Sequence, residues 1–273
     1  MVEHFTDPES AIRLVCTILG LATLLNSLHS VVLRQHFRNE GAWSWDVLKA
    51  GRSRVIRSGH LDRLIGYRGV LILHGVRTVA VLILVTLFGV VSVRTSTIWC
   101  VFLIQVILGI RNRSSDASDV ISHIVWGALV VGHILPRDPI VTEACLWFIA
   151  LQGCLAYARN GWAKWRSTQW RSGEALGFIA RHSLWRSETL CQYLRHHPEL
   201  ARVVTWATLI AESTFPLVLL LGYPWCLLVL AGDALFHLLI ALFMGLTEFP
   251  LSFLSTYPAI IFVVLRIEFA LYA

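Results

Sequence analysis

The sequence predicts an all-α fold: a polytopic membrane helical bundle of about eight transmembrane helices with two interfacial amphipathic insertions. Three observations carry that prediction. Hydrophobic residues fill 56% of the 273 positions and charged residues only 15%, with a mean hydropathy of +0.66, far too apolar for an ordinary soluble domain. The apolar residues gather in runs near the ~20 residues that cross roughly 30 Å of hydrocarbon. The basic residues, finally, are segregated by connection, as membrane orientation requires.

The first run, about 11–33, starts soon after Met1 with neither a basic leader nor a small-residue cleavage site, so it reads as a retained span rather than a signal peptide. Runs at about 70–93, 95–110, 118–136 and 139–158 follow, of which 95–110 is the shortest. The last three lie at about 203–222, 224–245 and 249–272. Segment 34–68 sets Trp43, Trp45, Val47 and Leu48 beside Lys49 and a series of arginines, a mixture expected of a helix in the headgroup layer. Segment 159–202 interleaves Trp162, Trp165, Trp170, Leu176, Phe178, Ile179, Leu184 and Trp185 with Arg166, Arg171, Arg181 and Arg186, and should also lie along the interface.

Each insertion carries eight Lys/Arg, and Arg111 and Arg113 join them on alternate connections. The opposite connections hold only Arg94 and Arg137. The basic connections should therefore face the cytoplasm and both termini the other side. This segregation accounts for the net charge of +6 without nucleic acid as a partner. Cys16, Cys100, Cys145, Cys154, Cys191 and Cys226 are scattered without a Cys-x-x-Cys, so they read as packing residues, with no metal or redox site. With no linker or low-complexity tract, 1–273 reads as a single membrane domain.

Ionisable side chains at bilayer depth are costly unless paired or wetted, so each needs a structural or a functional reason. Asp119 and His123 are four apart on one span and Asp233 and His237 four apart on another, which places each pair on one helical face. In each, the carboxylate should orient the imidazole, either to lock helix packing or to line a polar cavity. Glu143, Glu212 and Glu248 lie near or within spans. Glu212 precedes Pro216 by four residues, where a kink should free carbonyls, and Glu248 with Pro250 marks a helix start. His74 and Arg77 could join the same polar core or let the arginine snorkel. The other histidines, including His29 and His60, form no constellation.

Only two of the 23 Lys/Arg are lysines, Lys49 and Lys164. A lysine half-buried at a membrane boundary can shed its proton and act as a base, which an arginine does not. Lys164 sits just past an apolar run among Trp162, Trp165 and Trp170, with Gly161 allowing close approach of backbone or ligand.

The stretch from Tyr157 through Gly161 and Lys164 to Trp165, followed by Trp170, Gly173 and Leu176, resembles the signature of the vitamin K-dependent gamma-carboxylase-like (HTTM) transmembrane domain. Arg111-Asn112 with Ser118-Asp119, Glu212 with Pro216, and Phe236-His237 through Phe249 to Tyr257-Pro258 agree in order, so the resemblance covers about 100–260. It implies Lys164 as the base that deprotonates a reduced quinone, vitamin K or menaquinol, and His237 as a cavity residue beside it. Tyr157, Gly161, Trp165, Asp119, His123, Glu212 and Asp233 would shape the cofactor site. Molecular oxygen and carbon dioxide would be co-substrates, and a glutamate of a secreted peptide or protein the acceptor, with membrane lipid around it. The expected location is the cell membrane, with several passes. Three departures bear on this: Ala163 stands where the family has a second lysine, Ala117-Ser118-Asp119 where it has Gly-Gly-Asp, and the chain ends on its last predicted span, without the large soluble domain of animal carboxylases. The charge count also puts Lys164 on the cytoplasmic side, whereas those enzymes work on the lumenal side. A non-catalytic maturation or export factor for a secreted peptide, as in the sporulation-delaying-protein B group, is the alternative. A proton-coupled transporter is a third, disfavoured by the lack of an internal repeat.

Overall fold

The computed structural model describes residues 3–38, 41, 43–50, 62–112, 116–133, 138–182 and 188–272. Arg52, Arg54, Arg57, His60, Arg113, Arg137, Leu184, Trp185 and Arg186 lie outside them. Within the described residues every regular element is helical. The first long helix, α1 (Pro8–Val32), starts as its sequence dictates: the Asp7 carboxylate accepts from the Ser10 amide, and Pro8 takes a position whose amide needs no partner. Next come α2 (Tyr67–Thr86), α3 (Val91–Arg111) and α4 (Ala117–Gly132), the last capped by the Asp116 side chain. Asp138 and Pro139 start α5 (Pro139–Arg166). Then α6 (Pro198–Thr214) tightens into a 3-10 turn over Phe215–Leu220, and α7 (Tyr223–Met244) ends at Gly245, whose φ of 72° is a left-handed cap. The chain closes with α8 (Phe249–Leu254) and α9 (Tyr257–Tyr272), which together make one span.

Seven of these segments are long and apolar enough to cross a membrane. The protein is a multi-pass all-α membrane bundle. Two predicted boundaries move. The run expected to be shortest forms a full helix of 21 residues, because polar Arg94, Thr95, Ser96 and Thr97 continue it at its first turns. The short one is α4, with 16 residues, or ~24 Å of rise. The second insertion also begins later than expected. Nothing between Tyr157 and Arg166 breaks a helix apart from one glycine, so α5 runs on for 28 residues and carries Gly161, Lys164 and Trp165 with it. Glu212 and Pro216 mark a change to 3-10 geometry rather than a kinked α-helix.

Helices α1 to α6 pack in sequence order, and the final span then returns to the middle, against α1 and α5. That is why Ala259 through Leu265 are buried on every side. Helix α7 lies outside, with Trp225, Leu228, Leu235, Leu238 and Leu242 exposed to lipid. Helix association in lipid depends on close packing rather than on water exclusion, and the contacts are made by small residues. Gly20 meets Val81, Gly132 meets Cys145, Gly153 meets Thr256 and Gly161 meets Ser213, each so closely that an added Cβ would lie 3.1 Å or less from its neighbour. At the basic end, the Arg111 guanidinium donates to the carbonyls of Ile65 and Trp43 and lies over the Phe37 ring, strapping the first insertion to the bundle. At the other end, Arg94 pairs with Glu9 and Arg266 with Glu143, which removes Glu143 from any central role.

Candidate functional site: a lipid-facing groove with a polar floor

Helices α6 and α7 diverge to leave a cavity of about 610 Å³. Its walls are apolar, among them Val204, Ala207, Leu217, Leu228, Val229 and Phe236, and its polar floor is Glu212, Asp233 and Tyr157. Each floor residue is held from behind. The Lys164 ammonium donates to Glu212 Oε2 in an ion pair whose side chains are 18% and 11% exposed, and its Nζ lies 4.8 Å from the centre of the Trp170 ring. Trp165 Nε1 donates to Ser213 Oγ at 2.8 Å, and Gly161 sits against the Ser213 backbone, so α5 and α6 are fixed in register around the pair.

About two turns back along α5 from Lys164, the Tyr157 hydroxyl donates to Asp233 Oδ2 and lies 2.6 Å from His237 Nε2. The Tyr257 hydroxyl donates to the same Oδ2 at 2.5 Å. Because Tyr157 spends its proton on Asp233, its oxygen must accept from His237, which fixes the tautomer with the proton on Nε2. His237 Nδ1 is then a bare lone pair, buried without a hydrogen-bond partner among the described residues. The imidazole stacks on Phe253 at 4.7 Å and contacts Phe249. Asp233 therefore does not touch His237 as closely as their spacing predicted: the two are 3.6 Å apart and Tyr157 joins them.

Lys164, His237, Tyr157, Gly161, Trp165, Glu212 and Asp233 thus gather around α5, α6 and α7, although Lys164 reaches the groove only through Glu212 and His237 only through Tyr157. Asp119 and His123 do not join them. They line a separate vestibule of about 310 Å³ toward the basic end. There His123 Nδ1 lies 2.7 Å from the Asp119 carbonyl and Nε2 lies 3.0 Å from the Gln105 carbonyl, so backbone, not the Asp119 carboxylate, orients the ring. Arg77 does not snorkel. It is 1% exposed and donates to Ser27 Oγ, Gln105 Oε1, Asn26 Oδ1 and His74 Nδ1. Glu248 stands at the N-cap position of α8, but its carboxylate is turned to Asn26 and His29 instead of the helix amides, giving His29 a partner that sequence spacing did not reveal.

Sequence reasoning missed Tyr257 as a site residue, and Asn26 and Gln105 altogether. The last two had a legible signal, being amides in the middle of apolar runs. Fold and site together define a polytopic helical membrane protein with a groove open to lipid and backed by a buried proton-bonding network. Comparison with family models, curated proteins and solved structures finds no match.

Proposed function

We propose that this chain is a carboxylase-like enzyme of the cell membrane that binds a reduced quinone in the α6–α7 groove and takes its proton on the Lys164–Glu212 pair. The observation that supports this most is the groove itself, an apolar trough facing lipid with two carboxylates on its floor. A prenylated ring enters such a site from the bilayer, and the carboxylates match in kind the two hydroxyls of a quinol. Bound there, reduced vitamin K or menaquinol would supply an acidic phenol and, with molecular oxygen, the strong base that opens a peptide glutamate to carbon dioxide.

The protein's part is proton handling. Glu212 faces the groove and is the immediate proton acceptor, while the Lys164 ammonium donates to it from behind and the Trp170 ring covers that ammonium on one side. Asp233 has Oδ2 occupied by two phenols, which leaves Oδ1 to accept from a ligand hydroxyl. His237 holds the Tyr157 oxygen and with it the aim of Asp233.

The test uses the purified full chain in nanodiscs, with menaquinone-4 binding read by tryptophan quenching and menaquinol-dependent oxygen uptake as the activity. Glu212→Gln should keep binding and lose uptake. Gly232→Phe, at a position where an added Cβ meets nothing within 4 Å, fills only the groove and should abolish binding. Unchanged binding in Gly232→Phe would refute the assignment. The ion pair closing on itself favours a second reading, a non-catalytic maturation or export factor for a secreted peptide. In that case uptake is absent from the wild type, and Lys164→Arg leaves peptide export intact.

A further inference from the structure

The vestibule takes no part in the proton handling above, yet its walls are unevenly satisfied. Arg77 forms the deep end and is bonded only to neutral groups. Four of its bonds are filled, which leaves one Nη1 proton of the five guanidinium donors without a partner among the described residues. Glu248, which lines the same cavity, is already engaged by Asn26 and His29. Across the cavity the Asp119 carboxylate lines the same space and takes no hydrogen bond from the described residues. A fixed cation with a donor to spare and an unbonded carboxylate, both facing one cavity, suit a ligand that carries a phosphodiester and an ammonium together.

A third observation says where the rest of such a molecule goes. The His123 ring is a wall of the vestibule and equally of a second cavity of about 550 Å³, which is apolar and lies on the outer face of α3, α4 and α5. Phe102, Ile124, Val131, Ile140 and Phe148 line it. This groove borders α4, whose 16 residues rise only ~24 Å and so leave part of a hydrocarbon layer of roughly 30 Å unspanned. Trp43, Phe37 and Leu33 line the vestibule from the first insertion and the end of α1, a mixture of aromatic and aliphatic side chains suited to the membrane interface.

We propose that vestibule and groove form one phospholipid site. The headgroup of a lipid with a primary ammonium, such as phosphatidylethanolamine, lies between Arg77 and Asp119, and an acyl chain lies in the groove beyond His123. This site is separate from the α6–α7 groove, and neither assignment depends on the other.

Native mass spectrometry of the delipidated full chain decides it, with phosphatidylethanolamine, phosphatidylcholine and phosphatidylglycerol of identical chains and with free O-phosphoethanolamine as probes. Phosphatidylethanolamine should be retained about tenfold more tightly than phosphatidylcholine, whose quaternary ammonium cannot donate to Asp119, a difference equivalent to one hydrogen-bonded charge pair. Asp119→Asn should erase that preference while lipid still binds. Ala144→Trp, at a lipid-facing position of the groove, should remove binding of all three lipids. Thermal melts of both variants confirm that they are folded. Equal retention of ethanolamine and choline lipids by the wild type overturns the proposal, as does a preference that survives both variants. Free O-phosphoethanolamine binding as tightly as the lipid would make the cavity a solute site and likewise overturn it.

Discussion

Gly161→Ala tests the α5–α6 contact on which the groove floor depends. A Cβ at Gly161 would lie 2.5 Å from Ser213 Oγ, 2.6 Å from Ser213 N and 2.7 Å from Ser213 Cα. Two of those three atoms are backbone and have no rotamer to escape into, so α6 must back away by several tenths of an ångström. Overpacking of this kind costs ~1–3 kcal/mol, and the gain from replacing a mid-helix glycine offsets ~0.5–1 kcal/mol of it, so the variant should lose up to about 2.5 kcal/mol. The separation would also stretch the Lys164–Glu212 pair and the Trp165–Ser213 hydrogen bond, which lie three and four residues further along α5. Unfolding in mixed detergent micelles, followed by tryptophan fluorescence, measures the loss. Gly75→Ala is the control, because its Cβ meets nothing within 4 Å and it should gain ~0.5–1 kcal/mol from helix propensity alone. Equal stabilisation of both variants would refute the close approach of α5 and α6.

Removing one partner of the Lys164–Glu212 pair should be worse than removing both. Lys164→Met leaves a buried carboxylate alone and should cost ~3–5 kcal/mol, and adding Glu212→Leu should restore part of it, as a double-mutant cycle in the same micelles would show. Gln105→Leu removes the acceptor of an Arg77 bond at 2.5 Å and should cost ~1.5–3 kcal/mol by chemical unfolding. Tyr257→Phe withdraws one of the two phenols on Asp233 and should lower quinol-dependent oxygen uptake, while Tyr157→Phe, which also frees His237, should lower it further. Cysteines at the exposed positions Ser172 and Ala50 should be labelled from the same side of sealed vesicles and one at Gly89 from the other. A shared labelling side for all three contradicts the charge-based orientation.

The eight apolar runs were legible because spanning a bilayer needs a length and a composition that local sequence carries in full. The caps Asp7, Asp116 and Asp138, which the sequence reading did not single out, are also local, since each acts within three residues of itself. Lys164 stood out by its chemistry, as one of two lysines among 23 basic residues. The sequence also placed Asp233 and His237 on one face of one helix, because a spacing of four needs no other segment. It could not say that Tyr157 stands between them, or that Tyr257 completes the set, since those residues are 76 and 24 positions from Asp233 and meet it only across helices. Nor could it separate Asp119 and His123 from the rest. Both Asp-x-x-x-His pairs look alike along the chain, and only the inward return of α9 and the outward position of α7 send one to the groove network and the other to the vestibule with Arg77. Composition and periodicity settled which residues enter the membrane. Which of them share a cavity was decided by interhelical packing, because contact between side chains of different helices depends on crossing geometry that no single segment encodes.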